Sequence, residues 1–244
     1  MKRVMFTALT ALTALALAGC GKGDGDASTA STSAAIAAPA GSKWSETFAS
    51  TPDSGMLMGN PNAPVKLVEY GALTCSHCAT FSEKSGVPLK AMIDKGTVSY
   101  EFRNFMLNVI DVPASLLARC AGPGPFFPIS EQLFAAQAEW LGKAQTITPA
   151  EQQAWQTMAP EQVSPLLAAK LGLDTFVQAR GIGPEKARAC LVDKAAIAQL
   201  EAISQRASQE YKITGTPTFL LNGSVVPETA SWEVLEPKLK AAGA

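Results

Sequence analysis

Val65-Lys66-Leu67-Val68-Glu69-Tyr70-Gly71-Ala72-Leu73-Thr74-Cys75-Ser76-His77-Cys78 is an apolar, strand-like run that stops at a glycine and opens into a Cys-x-x-Cys pair. The turn cluster Asn60-Pro61-Asn62-Ala63-Pro64 launches the run, and the spacing of apolar residues beyond it predicts a helix from about Cys75 to Ile93. A cysteine at such a junction lies at a helix N-terminus, where unpaired backbone N–H groups and the positive end of the dipole favour thiolate over thiol. His77, the single histidine of the chain, falls between the two sulfurs and adds a group that titrates near neutrality. The pattern points to thiol–disulfide exchange, with Cys75 as the attacking and attacked sulfur and Cys78 as the resolving thiol one turn further in. A structural zinc site would need four Cys or His ligands, which one histidine and the isolated Cys120 and Cys190 do not readily make. An inert buried pair of cysteines is the remaining alternative, and no metal or organic cofactor is implied.

Beyond this helix, Val98-Ser99-Tyr100-Glu101-Phe102-Arg103 alternates apolar and polar residues and reads as a second strand, so strand, helix and strand form a right-handed βαβ unit with a parallel pair. From about 112 to 211 the pattern changes to helices punctuated by Gly and Pro. Ile129 to Leu141 reads as one helix, carrying Leu133, Phe134 and Trp140. Cys190, Ile197, Leu200, Ile203 and Ala207 share one helical face. Thr218 to Leu221 and Ser224 to Val226 flank Asn222-Gly223, a hairpin signal, and a terminal helix is expected from about Ser231 to Lys240. The order is βαβ, a helical insertion, then ββα, an α/β fold.

The chain has 244 residues, 47% hydrophobic and 17% charged, enough for one substantial domain. Part of the apolar fraction is not fold. Lys2 and Arg3 precede the Ala/Leu-rich run from Val4 to Ala18, which has the length and flanks of a signal peptide (1–19). It ends Leu17-Ala18-Gly19-Cys20, which looks like the lipobox of bacterial lipoproteins. Cys20 would then be acylated and become the N-terminus, two or more acyl chains supplying a stable membrane anchor. Ordinary signal cleavage leaving a free cysteine is the alternative, and Gly21 after the cysteine leans toward the outer rather than the inner membrane. Residues 20–45, mostly Gly, Ala, Ser and Thr, read as a flexible tether with a reach of about 25–30 Å. The folded domain is expected over 46–244, with order beginning between Trp44 and Met58. Without Lys2 and Arg3 the chain carries 18 basic against 21 acidic residues, a charge of −3, and no basic stripe suggests nucleic-acid binding.

From about Gly59 to the C-terminus the chain resembles the DsbA-like thiol–disulfide oxidoreductases of the bacterial periplasm, a family with a thioredoxin-like fold split by a helical insertion domain. Ala63-Pro64-Val65, Cys75-Ser76-His77-Cys78, the helical insertion and Gly215-Thr216-Pro217-Thr218-Phe219 carry the likeness. The resemblance implies a cis Pro217 beside the cysteine pair, Thr216 pairing with an extended substrate, and apolar substrate contacts near Leu73. It also implies a buried Glu69 that assists proton transfer to or from Cys78. Cys120 and Cys190 are either small core residues or, as in related proteins and as an oxidising compartment favours, a structural disulfide. The expected protein is a monomeric periplasmic oxidoreductase, lipid-anchored to the inner or outer membrane of a Gram-negative bacterium. Its partners would be reduced or misfolded exported polypeptides and a quinone-linked, DsbB-like membrane oxidase. Ser76 stands where the best-known oxidase of the family has proline, which leaves the redox potential open. Rival readings are an isomerase or reductase kept reduced by a membrane electron donor, and a redox-silent envelope lipoprotein that binds peptides.

Overall fold

The computed structural model describes residues 34–244. The Val4–Ala18 run, Cys20 and the first part of the 20–45 tether lie outside the described residues. Six strands, β1 (Phe48–Ser50), β2 (Met56–Gly59), β3 (Val65–Gly71), β4 (Val98–Asn104), β5 (Thr218–Leu221) and β6 (Ser224–Val225), form one sheet in the order β1-β2-β4-β3-β5-β6. The parallel β3–β4 pair sets Glu69 opposite Phe102, and antiparallel β5 sets Phe219 against Glu69 from the other side. Strand β3 is therefore central and buried along nearly its whole length, as a strand covered on both faces must be.

Helix α1 (Ser76–Asp94) crosses between β3 and β4 and buries Cys78, Phe81, Ser85, Leu89, Met92 and Ile93, a stripe at spacings of three and four. The insertion comprises α2 (Asp111–Arg119), α3 (Pro123–Ala135), α4 (Gln137–Gly142), α5 (Pro149–Trp155), α6 (Pro160–Leu171), α7 (Leu173–Gln178), α8 (Pro184–Leu191) and α9 (Lys194–Glu210), and α10 (Trp232–Ala241) closes the chain. Successive β3 side chains point to opposite faces. Val65 and Leu67 join the larger core with Phe81, Phe126 and Phe219. Val68 and Tyr70 pack on the other face against Ile197, Leu200, Ile203 and Ala207 of α9. The rings of Phe81 and Phe219 lie 4.6 Å apart, and burying each stabilises the fold by about 1.5–3 kcal/mol.

Several expectations change at this level. The single helix expected over 129–141 is two, broken at Ala136 (φ −95, ψ 10). The Leu133 carbonyl, which an unbroken helix would pair with the Gln137 N–H, takes the indole N–H of Trp140 at 2.8 Å. The face drawn through Cys190 and Ile197 is also split, with Cys190 on α8 and the rest on α9, because the Asp193 carboxylate accepts the Ala195 and Ala196 N–H groups and caps a new helix. Strands β1 and β2 escaped sequence reading. At three and four residues they are too short to establish an alternation, although β2 pairs antiparallel with β4 over its whole length. The hairpin turn has Asn222 and Gly223 both at positive φ, 50° and 86°, the type I′ pattern, and Asn222 Oδ1 accepts the Lys66 N–H at 2.8 Å.

The chain is docked well before Trp44. Ile36 N–H donates to Lys95 O at 2.7 Å, and the Trp44 indole donates to Ile36 O at 2.8 Å. Gly96, at φ +77°, makes this possible, since a Cβ there would stand 2.3 Å from Ile36 O.

Candidate functional site

Strand β3 delivers Glu69 into the sheet and then passes through Gly71, where a Cβ would lie 2.6 Å from the Phe102 ring. The loop Ala72-Leu73-Thr74 follows, and Cys75 takes up extended backbone (φ −81, ψ 118) as the N-cap of α1. Its sulfur occupies the place of a capping oxygen and accepts the Cys78 N–H at 3.3 Å. Opposite, the Thr216–Pro217 peptide is cis, and the Cys75 thiol donates to Thr216 O at 3.2 Å. The topology thus joins β3, the tip of α1 and the start of β5 at one point, from residues 141 apart in sequence.

The environments of the two sulfurs drive them apart. Cys75 is pushed down to about 5. The Cys78 thiol beside it is the largest influence, working against burial, and the neighbouring Thr216 side chain, whose hydroxyl makes no hydrogen bond of normal geometry, and the Cys78 and His77 backbone amides help. The Cys78 thiol is pushed up, chiefly by burial, then by its bond to Cys75 and by the nearby Glu69 and Cys75 charges. Both cysteines are free here, and Cys75 is the less buried, 7% exposed against 0%. One contribution differs from expectation. The His77 side chain is exposed, and His77 contributes to lowering Cys75 through its backbone amide, the smallest of these influences.

Glu69 is buried, and burial pushes its carboxyl up to about 8 against the opposing effect of the Tyr100 hydroxyl, which donates to Oε2 at 2.6 Å. Its Oε1 is buried without a hydrogen-bond partner among the described residues. Such a carboxyl takes and releases a proton near neutral pH beside two sulfurs.

Leu73 is not at the surface. Its side chain is fully buried in the core, so it does not offer the apolar substrate contact expected of it. The loop is pinned inward because Gln137 of α4 donates to Leu73 O at 2.8 Å. Exposed apolar side chains near the site come instead from Leu107 (43%) and Val109 (60%). They flank Asn108, which donates to the Thr74 hydroxyl at 3.0 Å. Val109 also rims a cavity of about 540 Å³ lined by Ile110, Ile147, Trp155, Met158 and Leu167.

Two residues that sequence reading missed hold the loop before Cys75. Asp111, buried, accepts the Thr74 N–H and hydroxyl at 2.9 Å each and the Leu107 and Asn108 N–H groups at 3.0 and 3.2 Å. Burial raises its carboxyl above the usual range, opposed by these bonds. Gln137 adds a second bond, to Cys75 O at 2.9 Å. An acid opening a helix just after an Asx-type turn at Asn108 was a usable signal for Asp111; Gln137 had none. Away from the site, a disulfide joins Cys120, the C-cap of α2, to Cys190 of α8. Among the described residues no cluster of three or more His, Cys, Asp or Glu is placed to hold a metal ion.

Residues 51–241 match the family model described as thioredoxin. The chain belongs to the thioredoxin family. Within the family it is similar in structure to a protein-disulfide isomerase from Novosphingobium aromaticivorans, at 32% identity and a TM-score of 0.72, covering 76% of this chain and 95% of that one. The α-DsbA1 protein of Wolbachia pipientis shares the fold at 21% identity and a TM-score of 0.62, with 79% and 92% covered. In sequence the chain is 29% identical over 196 residues to disulfide bond formation protein D of Bacillus subtilis, covering 75% of this chain and 77% of that one. It is also 29% identical over 173 residues to a Rickettsia prowazekii chain provisionally assigned as a protein-disulfide oxidoreductase, covering 70% of this chain and 55% of that one. This thioredoxin-family chain thus spans about half the length of the rickettsial relatives it matches.

Proposed function

We propose that this chain is a DsbA-like protein thiol–disulfide oxidoreductase that forms disulfides in exported polypeptides. The opposite displacement of the two sulfurs carries the reading. A Cys75 thiolate held at about 5 stabilises the reduced pair at pH 7 by about 2.7 kcal/mol relative to an ordinary thiol, which stays protonated there. That is on the order of 60 mV toward an oxidising disulfide.

The oxidised pair begins the cycle. A client thiolate attacks Cys75 Sγ and breaks the Cys75–Cys78 bond. Cys78 leaves and takes a proton, for which Glu69 is the nearby donor. A second client thiolate then attacks the client sulfur of the mixed disulfide, and Cys75 departs as a thiolate. The client has lost two electrons and two protons; the cysteine pair holds the electrons. Thr216 offers backbone to an extended client beside Cys75, and the cavity at Val109 offers apolar surface. A DsbB-like, quinone-linked membrane protein reoxidises the pair. The enzyme acts as a monomer in a Gram-negative periplasm, anchored by lipid on Cys20; this part rests on Leu17-Ala18-Gly19-Cys20 and on the family resemblance.

A second reading has a specific observation in its favour, because the Novosphingobium chain at 32% identity is described as an isomerase. Oxidative refolding of a reduced, disulfide-containing client tests both. The oxidised protein is expected to transfer its disulfide stoichiometrically, and Cys75→Ala to transfer none. A reduction potential near thioredoxin's, about −270 mV, with no transfer to a reduced client, moves the assignment to reduction or isomerisation.

A further inference from the structure

Three consecutive residues before and at the active sulfur are tied by side chains that come from outside the βαβ unit. The Thr74 N–H and hydroxyl go to Asp111. The carbonyls on either side of Thr74, those of Leu73 and Cys75, converge on one nitrogen, Gln137 Nε2, at 2.8 and 2.9 Å. A primary amide has two N–H groups, and both are used. Gln137 is buried and stands directly after the break that separates α3 from α4, so this bond pattern depends on that break.

We propose that Gln137 is a positioning residue for thiol–disulfide exchange, its carboxamide fixing the Leu73 and Cys75 carbonyls so that the Cys75 sulfur stays where the first amides of α1 point at it. The Cys75 carbonyl also accepts the Ala79 N–H at 3.1 Å, the bond that starts the helix, so its direction sets the first turn. Without Gln137, the Leu73 carbonyl loses its side-chain donor and the Cys75 carbonyl keeps only the Ala79 N–H, a loss that is costly in a buried loop. The chain can relieve that cost by rotating the peptide planes around Cys75, which turns the Cys78 and His77 amides away from the sulfur. The titratable groups around Cys75 are Cys78 and His77 on α1 and Glu69 on β3, with Asp111 acting through Thr74. Gln137 is neutral and acts through geometry. The helical insertion would then set the ionisation of the active sulfur as well as shape the surface around it.

This inference rests on Cys75 being the exchanging sulfur, and its test needs no client protein. Gln137→Met keeps the volume and removes both donors. Thiolate absorbance against pH and equilibration with a glutathione redox buffer are read on the full chain, with circular dichroism to confirm the fold. The Cys75 midpoint is expected to rise by about one pH unit, and the disulfide to become about tenfold less oxidising toward glutathione, about 30 mV. Should Gln137→Met not fold, Gln137→Asn, which withdraws the carboxamide by one methylene, is read in the same two assays with a smaller shift in the same direction. A folded variant with lower melting temperature but unchanged midpoint and unchanged glutathione equilibrium overturns the proposal and leaves a purely structural glutamine. Failure of client oxidation with these two shifts intact would count against the proposed function alone.

Discussion

The chain carries two cysteine pairs in the described residues, and they are opposites. Cys75 and Cys78 are three residues apart at a helix tip, with hydrogen-bond donors converging on the outer sulfur and an ionisable carboxyl behind the inner one. Cys120 and Cys190 are 70 residues apart and tie α2 to α8 across the insertion. The first pair closes too short a loop to constrain the unfolded chain much, and its environment favours the reduced, ionised state. The second closes a long loop, where the chain-entropy gain is large. The contrast teaches that the same bond serves reactivity or stability according to what surrounds the sulfurs and how much chain lies between them.

Removing each pair in turn separates the two roles. Cys75→Ala is expected to abolish disulfide transfer and, because the folded thiolate at about 5 is lost, to lower the unfolding midpoint of the reduced protein at pH 7 but not below pH 5. Cys120→Ala with Cys190→Ala is expected to retain the Cys75 titration and the transfer reaction but to lower stability by about 4 kcal/mol in denaturant unfolding. Loss of transfer in that folded double variant would mean the second pair takes part in the chemistry.

Glu69 belongs to the reactive pair. Its carboxyl is raised from 4.5 to about 8, so between those values the folded protein holds a proton that the unfolded chain has released. Burial, the largest cause, persists in the oxidised protein although the Cys75 charge does not, so its stability should fall as pH rises above the ordinary carboxylate range, by up to about 1.4 kcal/mol per pH unit. Glu69→Gln removes the slope, an outcome that unfolding curves at pH 5 and pH 8 check directly. The same variant should slow the exchange steps in which Cys78 gains or loses its proton, by tenfold or more in stopped-flow measurements. The smallest expected effect is at His77. Its side chain is exposed, and its amide is the His77 group that helps lower Cys75. His77→Ala should therefore move the Cys75 midpoint by less than Gln137→Met does; a larger shift would restore the imidazole to the mechanism.

Local elements were legible where one physical signal dominates. The strand β3, the helix after Cys75 and the Asn222-Gly223 hairpin all follow from periodicity, capping and turn chemistry within a few residues. Helix boundaries in the insertion were less so, because the break at Ala136 depends on Trp140 capturing a carbonyl and the one before α9 depends on Asp193 outcompeting helix continuation. Leu73 misled for a related reason. The family resemblance implied a substrate contact there, whereas its side chain is buried in the core and its carbonyl is held by a glutamine 64 residues away.

What the order of residues determined alone is that two thiols would sit at the start of a helix fed by a buried strand, since both periodicities and the glycine between them are local. What tertiary structure decided is the difference between those thiols, the proton on Glu69 and the grip of Gln137 and Asp111 on the loop. Desolvation and hydrogen-bond direction are set by whichever atoms fill the surrounding space, and here those atoms come from Tyr100, Thr216 and the insertion.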